Sequence, residues 1–314
     1  MTALTVVAWC LTAFVAAATL AHRLVDWTWQ YGMIDRPHRR RLHARPTPRG
    51  GGAAIIAVAG TAAVIAASLE PASAGRLAAA GLPAITVALI GWWDDVAPRP
   101  MAVRLAVQVV ASTVTVWLLG SVAAVELDAW GRHGTGIVAE AALILWLVGL
   151  TNVFNFLDGS DGLAGVSGAV IAAALAVAAE LRGEHAVAAV SGAVAAACLG
   201  FLTCNWEPAR IFMGDVGSTG CGFLLAALPL AVAPQHGLAL VFVVALAAWP
   251  LIADATITLA TRVCRGENIF EPHREHVYQR LVLAGWSHRA VAVLYGALAA
   301  GGGLVALGWI AGQR

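Results

Sequence analysis

The chain has 314 residues, of which 60% are hydrophobic and only 12% are charged, and its mean hydropathy is +0.79. This balance is typical of a polytopic membrane protein and excludes an ordinary water-soluble core. The net charge of +1 indicates no particular partner, and no nucleic-acid partner is predicted. The five cysteines lie in or beside apolar segments without CxxC spacing, which argues against a disulfide framework or a zinc site.

Apolar runs of membrane-spanning length recur from one end of the chain to the other. The hydrocarbon core of a bilayer takes about 20 residues of helix. The pattern therefore predicts an all-α fold, a polytopic transmembrane bundle of about ten helices, forming a single integral-membrane domain over residues 1–314. The runs are 2–21, 51–69, 77–93, 102–123, 137–154, 162–181, 186–204, 217–233, 238–261 and 290–311. The first lacks the basic region and the cleavage site of a signal peptide, so we expect a retained span.

The distribution of Arg predicts the orientation of the bundle. All 19 basic residues are Arg, and with the amino terminus outside, 15 of them fall in connections on the inner side. Positively charged loops stay in the cytoplasm. Five polar motifs also fall on this side, which predicts a cytoplasmic active site in a bacterial inner membrane. The outer connections, such as EPASAG, RGEH and APQHG, are short and chemically plain.

The first inner motif is the basic segment RPHRRRLHARPTPRGGG, residues 36–52. Positive-inside topology and attraction to anionic membrane lipid explain most of its Arg residues. These two explanations do not account for His43 or for the run that ends in Arg49 and three glycines. Rigid turns and bare backbone there suit a fixed phosphate contact, so both residues are predicted to bind substrate.

The second motif is WWDDVAPRP, in which Asp94 and Asp95 close an apolar run. Adjacent carboxylates repel each other unless a cation or an Arg offsets their charge. A bound divalent cation is the simplest remedy. The alternative is a solvated helix end with Trp92 and Trp93 in the aromatic belt, which explains the tryptophans better than the acids.

The third motif, NVFNFLDGSDGLAG, repeats polar residues every three positions, at Asn152, Asn155, Asp158 and Asp161. A helical or 3₁₀ start would turn them toward nearly one side. Converging amide and carboxylate oxygens suit a hard cation such as magnesium, which keeps water and substrate phosphate as its other ligands. Helix capping would explain one or two of these residues but not four.

Two further motifs complete the inner face. FMGDVGSTGCG places Asp215 between glycines and Ser218 at the start of an apolar run, where bare N–H groups and a helix dipole favour an oxyanion. EPHREHVYQRL offers His273, Arg274 and His276, and a guanidinium grips a phosphate through two parallel bonds. Turn chemistry explains the first motif equally well, and an interfacial amphipathic loop explains the second.

Together these motifs resemble the polyprenyl-phosphate N-acetylhexosamine-1-phosphate transferases, glycosyltransferase family 4. DRPHRRRLH with PTPRGGG is similar to the first inner loop of that family, DD to its acidic pair, NVFNFLDGSDGL to its Asn-x-x-Asn-x-x-Asp-Gly-x-Asp-Gly signature, and GDVGS to its Gly-Asp-x-Gly-Ser motif. The resemblance implies transfer of a sugar-1-phosphate from a UDP-N-acetylhexosamine to undecaprenyl phosphate, with release of UMP. It leaves open whether the chain forms a homodimer.

The resemblance also implies roles for individual residues. Asn155 and Asp215 match magnesium ligands, with manganese as an alternative metal. Four acids match catalytic carboxylates: Asp94, Asp95, Asp158 and Asp161. An acceptor phosphate oxygen would attack the β-phosphorus of the donor, and the acceptor is largely dianionic because its second pKa is about 6. Asp94 is then either a base or a group that positions the acceptor or the metal, and the sequence does not decide between these roles.

The last motif departs from the commonest family pattern. Members that act on UDP-N-acetylglucosamine or on UDP-N-acetylmuramoyl-pentapeptide usually carry a His-x-His-His or triple-His run, whereas this chain has His276-Val277-Tyr278-Gln279. That pattern resembles the O-antigen-initiating branch, which uses deoxy sugars such as N-acetylfucosamine or N-acetylquinovosamine; N-acetylglucosamine also stays open. Phospho-N-acetylmuramoyl-pentapeptide transfer for the cell wall is the alternative. The alternative from another class is a secondary transporter, which also buries carboxylates but favours midplane sites and internal repeats.

Overall fold

The computed structural model describes residues 3–37, 42, 45–119, 136–268 and 274–313. Almost all of its regular structure is helical. The helices are α1 (Ala3–Gln30), α2 (Ala53–Leu69), α3 (Ala74–Val96), α4 (Met101–Leu118), α5 (Gly136–Phe156), α6 (Leu163–Leu181), α7 (His185–Asn205), α8 (Gly214–Ala227), α9 (Ala233–His236), α10 (Ala239–Ala247), α11 (Trp249–Cys264), α12 (Val277–Leu283) and α13 (His288–Gly312).

Within the described residues, each of the ten apolar runs overlaps a helix or a helix pair, which confirms the all-α polytopic bundle; residue 2 and residues 120–123 of the predicted runs lie outside the described residues. In the described ranges, eight helical segments are long and apolar enough to span a membrane, and α2 is a shorter apolar helix of 17 residues. The ninth run is not one straight span, because α10 and α11 meet at a bend of 68°. Pro250 stands in the first turn of α11, where proline starts a helix without losing a hydrogen bond. The chain is therefore a multi-pass membrane protein.

Helix α8 lies at the centre of the bundle, and small residues let its neighbours approach closely. A Cβ added to Gly217 would lie 2.5 Å from the Cα of Gly52, ahead of α2, and one added to Gly222 would lie 2.9 Å from the Cα of Thr151 on α5. Such close backbone contact is the usual basis of helix packing in membranes. The amino terminus of α8 is thus enclosed by the ends of other helices.

Two short strands, β1 (Ile34–Asp35) and β2 (Thr47–Pro48), pair antiparallel beside α8 and were not predicted. The chain after β2 continues along the segment before α8, since Gly51 N–H donates to Phe212 O at 3.0 Å and Gly52 N–H donates to Met213 O at 2.9 Å. The first inner loop is therefore fixed to the amino terminus of α8 by its backbone.

The opposite end of the bundle carries a polar cluster. Arg76 Nη1 donates to Glu184 Oε2 at 3.1 Å, His236 Nε2 lies 3.0 Å from Glu184 Oε1, and Arg76 also contacts Ser73. These residues lie in or beside the three outer connections, which were expected to be chemically plain. The connections are instead joined by the Arg76–Glu184 ion pair and by the contact between His236 and Glu184.

Candidate active site

A polar cavity of about 140 Å³ opens at the end of the bundle that carries the inner motifs. It is several times larger than the space one water needs, about 10–15 Å³. Among the described residues, its lining contains five carboxylates, one guanidinium and one imidazole. The charged and polar lining residues are Asp35, Arg49, Asp95, Asn155, Asp158, Ser160, Asp161, Asp215 and His288.

Asp95 is buried at the end of α3 and accepts hydrogen bonds from the first turn of α8. Its two carboxylate oxygens lie 3.1 Å from the backbone nitrogens of Asp215 and Val216. The amino terminus of a helix favours an anion through these unpaired N–H groups and its dipole. Arg49 Nε adds a positive charge 3.8 Å away. Both carboxylate oxygens of Asp95 therefore have hydrogen-bond donors in α8.

The acidic loop, which we define as Asp158 to Asp161, follows α5 and contacts two other segments. Asp158 Oδ2 accepts the backbone N–H of Gly214 at 3.1 Å, and Asp161 Oδ2 accepts that of Ala209 at 2.9 Å. The Nδ1 atom of His288 accepts the Asp161 N–H at 3.2 Å and lies 2.8 Å from Ser160 Oγ. Backbone donors thus fix both carboxylates with one edge toward the cavity. The anions at the start of α8 are protein carboxylates, whereas the sequence suggested a substrate oxyanion.

Asp94 lies one residue from Asp95 but outside the cavity lining. Its Oδ1 accepts the backbone N–H of Arg99 at 2.7 Å, and its Oδ2 lies 3.4 Å from Arg104 Nη1. Arg104 also forms a short ion pair with Asp215. The acidic pair is therefore divided: Asp95 faces α8, while Asp94 holds the guanidinium that contacts Asp215.

Asn155 and Asp215 come together as the resemblance implies. Asn155 Nδ2 donates to Asp215 Oδ1 at 3.2 Å and to Ser218 Oγ at 2.9 Å. Ser218 is fully buried and donates to Gly214 O at 3.0 Å. It therefore orients Asn155 and has no surface toward the cavity, although it was predicted to bind substrate.

The donor set at Asn155 and Asp215 fits a magnesium ion. One amide and one carboxylate meet at the cavity wall, and magnesium is usually held by one or two protein oxygens while it keeps waters and substrate phosphates. In the described ranges, no group of three or more His, Cys, Asp or Glu is arranged around a metal position. A metal held by these two residues would keep substrate and water as its other ligands.

The glycines after Arg49 do not leave bare backbone open to a ligand. A Cβ on Gly51 would lie 2.7 Å from the ring of Phe201, and one on Gly52 would lie 2.3 Å from the Cα of Gly217. They are needed for close packing against α7 and α8. Arg49 itself lines the cavity, as expected of a substrate-binding residue.

Five other predicted substrate contacts lie elsewhere or outside the described residues. Asn152 donates to Gln108 Oε1 at 2.6 Å, to the side of the cavity. Arg274 lines a separate pocket with Arg265 and Arg280. His276 is buried, and its Nδ1 lies 3.0 Å from Asp254 Oδ1. His43 and His273 fall outside the described residues.

The sequence motifs did not single out three polar cavity groups and one neighbour. Asp35, Ser160 and His288 line the cavity, and Arg104 pairs with Asp215. Arg104 was counted only for topology, although its position just after the acidic pair places it near the site. His288 had no local signal, because it reaches the acidic loop from the start of α13, more than 120 residues later in the chain.

The chain is similar to known transferases over most of its length. The probable undecaprenyl-phosphate N-acetylglucosaminyl 1-phosphate transferase of Bacillus subtilis (strain 168) is 30% identical over 273 residues, covering 84% of this chain and 74% of the relative. The decaprenyl-phosphate N-acetylglucosaminephosphotransferase of Mycolicibacterium smegmatis is 33% identical over 297 residues, covering 85% of this chain and 73% of the relative.

A third similarity is shorter. The phospho-N-acetylmuramoyl-pentapeptide-transferase of Streptococcus thermophilus is 38% identical over 109 residues, which cover 35% of this chain and 32% of the relative. The sequence model described as glycosyl transferase family 4 matches residues 77–233, which include the acidic pair, the Asn155 motif and the Asp215 motif. The chain therefore belongs to glycosyl transferase family 4.

Proposed function

We propose that the protein transfers an N-acetylhexosamine-1-phosphate from a UDP-linked donor to undecaprenyl phosphate, releases UMP, and so initiates synthesis of a cell-surface polysaccharide. The reaction takes place at the cytoplasmic face of a bacterial inner membrane. The family and the names of the relatives support transfer of an N-acetylhexosamine-1-phosphate to a polyprenyl phosphate. The donor, the lipid and the site residues are our proposal.

The observation that carries the proposal is the convergence of the family's acidic motifs on one cavity. Asp95, Asp158, Asp161 and Asp215 reach it from three different segments, together with Asp35. A phosphorylated donor and a phosphorylated acceptor would both be repelled by these carboxylates, since like charges in a half-buried site interact strongly. Such a cavity suits phosphates only when a cation is present.

Asn155 and Asp215 would hold that cation, magnesium or manganese, which supplies neutralisation of the donor diphosphate and of the leaving UMP. Arg49 lines the same cavity and is suited to bind a phosphate oxygen through its guanidinium. Asp95, Asp158 and Asp161 fix the shape of the cavity, because each is bonded to backbone N–H groups of other segments. Rigid, correctly placed groups are the main requirement of phosphoryl transfer.

Of the two roles open to Asp94, its contacts favour positioning over proton transfer. Both of its oxygens face Arg99 and Arg104, and it does not line the cavity. A general base must reach the proton it removes, directly or through one water. The acceptor phosphate also needs little deprotonation at neutral pH. Asp94 then acts through Arg104.

The relatives and the sequence favour different sugars, so the donor has to be identified by experiment. The relatives' names favour N-acetylglucosamine, and the Val277-Tyr278-Gln279 sequence favours a deoxy sugar such as N-acetylfucosamine or N-acetylquinovosamine. The partial similarity to a phospho-N-acetylmuramoyl-pentapeptide-transferase keeps that donor as a second candidate. A secondary transporter is disfavoured, because the chain belongs to a transferase family.

The test is a transfer assay with purified protein, magnesium and undecaprenyl phosphate. Radiolabelled UDP-GlcNAc, UDP-FucNAc, UDP-QuiNAc and UDP-MurNAc-pentapeptide are compared as donors. We expect a lipid-linked product with at least one UDP-N-acetylhexosamine. Absence of product from every donor, with protein shown to be folded by its thermal transition, would refute the proposal. Product from the muramoyl-pentapeptide donor alone would favour the second candidate.

A matched pair of variants tests the site. Asp215→Asn should reduce turnover by about 100-fold or more, because it removes a carboxylate from the cation position. Asp26→Asn, at an exposed position on α1, is the control for the chemical change and should retain activity. Full activity of the Asp215 variant would contradict the assigned metal role.

A further inference from the structure

We propose that Tyr278 is a positioning residue for the acidic loop, and that its hydroxyl group fixes the distance between that loop and the amino terminus of α8. The catalytic part of this inference rests on the proposed function. Its structural part concerns a contact between α12 and the loop that neither the motifs nor the relatives assign.

The hydroxyl of Tyr278 sits in a space that only a glycine leaves open. The side chain is 1% exposed, and its Oη donates to Phe156 O at 3.1 Å, in the last turn of α5 beside Asn155. A Cβ added to Gly159 would lie 2.1 Å from that Oη and 3.2 Å from Cζ. The Asp-Gly-Ser-Asp loop therefore requires glycine at its second position because the phenol occupies the place of a side chain.

Tyr278 can act as a rigid support because its own backbone is fixed. Buried Asp254 on α11 accepts the N–H groups of Val277 at 2.9 Å and Tyr278 at 3.0 Å. The same carboxylate contacts His276 and the hydroxyl of Tyr295. Such a fully bonded polar group holds the start of α12 in one place, and supporting bonds of this kind fix functional side chains.

The acidic loop is thereby held from two sides. On one side Tyr278 contacts Phe156 and Gly159. On the other side Asp158 bonds to the start of α8, at Gly214 N–H. If the loop moves where it contacts Tyr278, the hydrogen bond from Gly214 N–H to Asp158 lengthens or breaks. A displacement near 1 Å at reacting groups lowers rates by about 100-fold.

The experiment is a double-mutant cycle of Gly159→Ala and Tyr278→Phe, with kcat and KM measured for donor and acceptor. Gly159→Ala should lower kcat by about 100-fold, and Tyr278→Phe should lower it by about tenfold, with KM for the acceptor changed less than kcat. In the double variant the Oη is absent, and the ring atom nearest to the Cβ introduced at position 159 is Cζ, at 3.2 Å. The ring then has to shift by only a few tenths of an ångström. The double variant should therefore be about tenfold more active than Gly159→Ala alone.

A second cycle is the matched control. Tyr295→Phe removes the hydroxyl that donates to Asp254 but does not touch the acidic loop. Combined with Gly159→Ala, it should give no recovery. Recovery in this control, or a Gly159→Ala/Tyr278→Phe protein no more active than Gly159→Ala, would overturn the inference.

Thermal unfolding separates this inference from the proposed function. Gly159→Ala should lower the thermal midpoint, and Tyr278→Phe should restore it in the double variant. If the wild-type protein forms no lipid-linked product, the proposed function fails while the recovery of the midpoint still tests the contact. If the wild type is active but neither activity nor midpoint recovers, the contact does not position the loop.

Discussion

Gly91 offers a sharp test of how α3 and α8 build the cavity. It lies one turn before the acidic pair, and a Cβ there would be 2.4 Å from the carbonyl oxygen of Asp215 and 2.8 Å from the nitrogen of Val216. These atoms belong to helix backbone, so no side-chain rotation relieves the contact. Gly91→Ala must therefore separate the two helices at the position where Asp95 meets α8.

The structure gives the size of the effect. The added Cβ is about 1 Å short of ordinary contact, which begins at 3.4 Å. Overpacking of this kind costs about 1–3 kcal/mol, against a gain of about 1 kcal/mol from replacing glycine in a helix. A shift of about 1 Å would lengthen the 3.1 Å hydrogen bonds of Asp95 beyond bonding range. We expect a lower thermal midpoint and a loss of about 100-fold in kcat/KM.

The assay compares this variant with Gly81→Ala on the same helix. Gly81 has open space where its Cβ would stand, so alanine there should leave activity unchanged and hold or raise the thermal midpoint. Both proteins are purified in the same detergent and measured for transfer and for thermal unfolding. Wild-type kcat/KM in Gly91→Ala would refute the reasoning that the α3–α8 distance sets the geometry of the site.

Three further changes test separate contacts. In Asp95→Asn, one backbone N–H of α8 would face an amide NH₂ instead of an oxygen. The free energy of unfolding should fall by about 1–3 kcal/mol, measured by thermal unfolding, and product formation should decrease. Arg104→Gln removes a cation that competes for Asp215, so half-maximal activity should need less magnesium in a titration, while kcat falls. Glu184→Gln weakens the outer ion pair with Arg76 and should cost about 1 kcal/mol of stability in thermal unfolding but leave kcat/KM unchanged. Loss of activity would contradict the separation of the two ends of the bundle.

Much of the fold could be predicted from the sequence, because the thickness of a bilayer fixes the length of an apolar helix. Within the part of the chain that the structure describes, that single constraint locates the ten apolar helical segments. It does not distinguish a straight span from a broken one, so the bend between α10 and α11 was missed, although Pro250 marks the start of α11. The strands β1 and β2 were missed because two-residue pairings leave no periodic pattern.

The motifs predicted which residues meet, but not which atoms they meet. A spacing of three residues turns by about 60° on an α-helix, so Asn152 and Asn155 face different directions on α5, while Asp158 and Asp161 lie in the loop after that helix. That is why Asn155 faces the cavity and Asn152 contacts Gln108 instead. Partners such as His288 depend on how distant helices pack, which no local pattern records.

The partners of the acids also distinguish their roles. Asp95, Asp158 and Asp161 accept backbone N–H groups, which cannot move away without distorting a helix end or a turn. Asp215 is held by side chains, the amide of Asn155 and the guanidinium of Arg104, and side chains can rotate. A cation that enters the cavity therefore replaces a partner most easily at Asp215. Under the proposed function, the fixed acids define the space, and the exchangeable one would hold the cation.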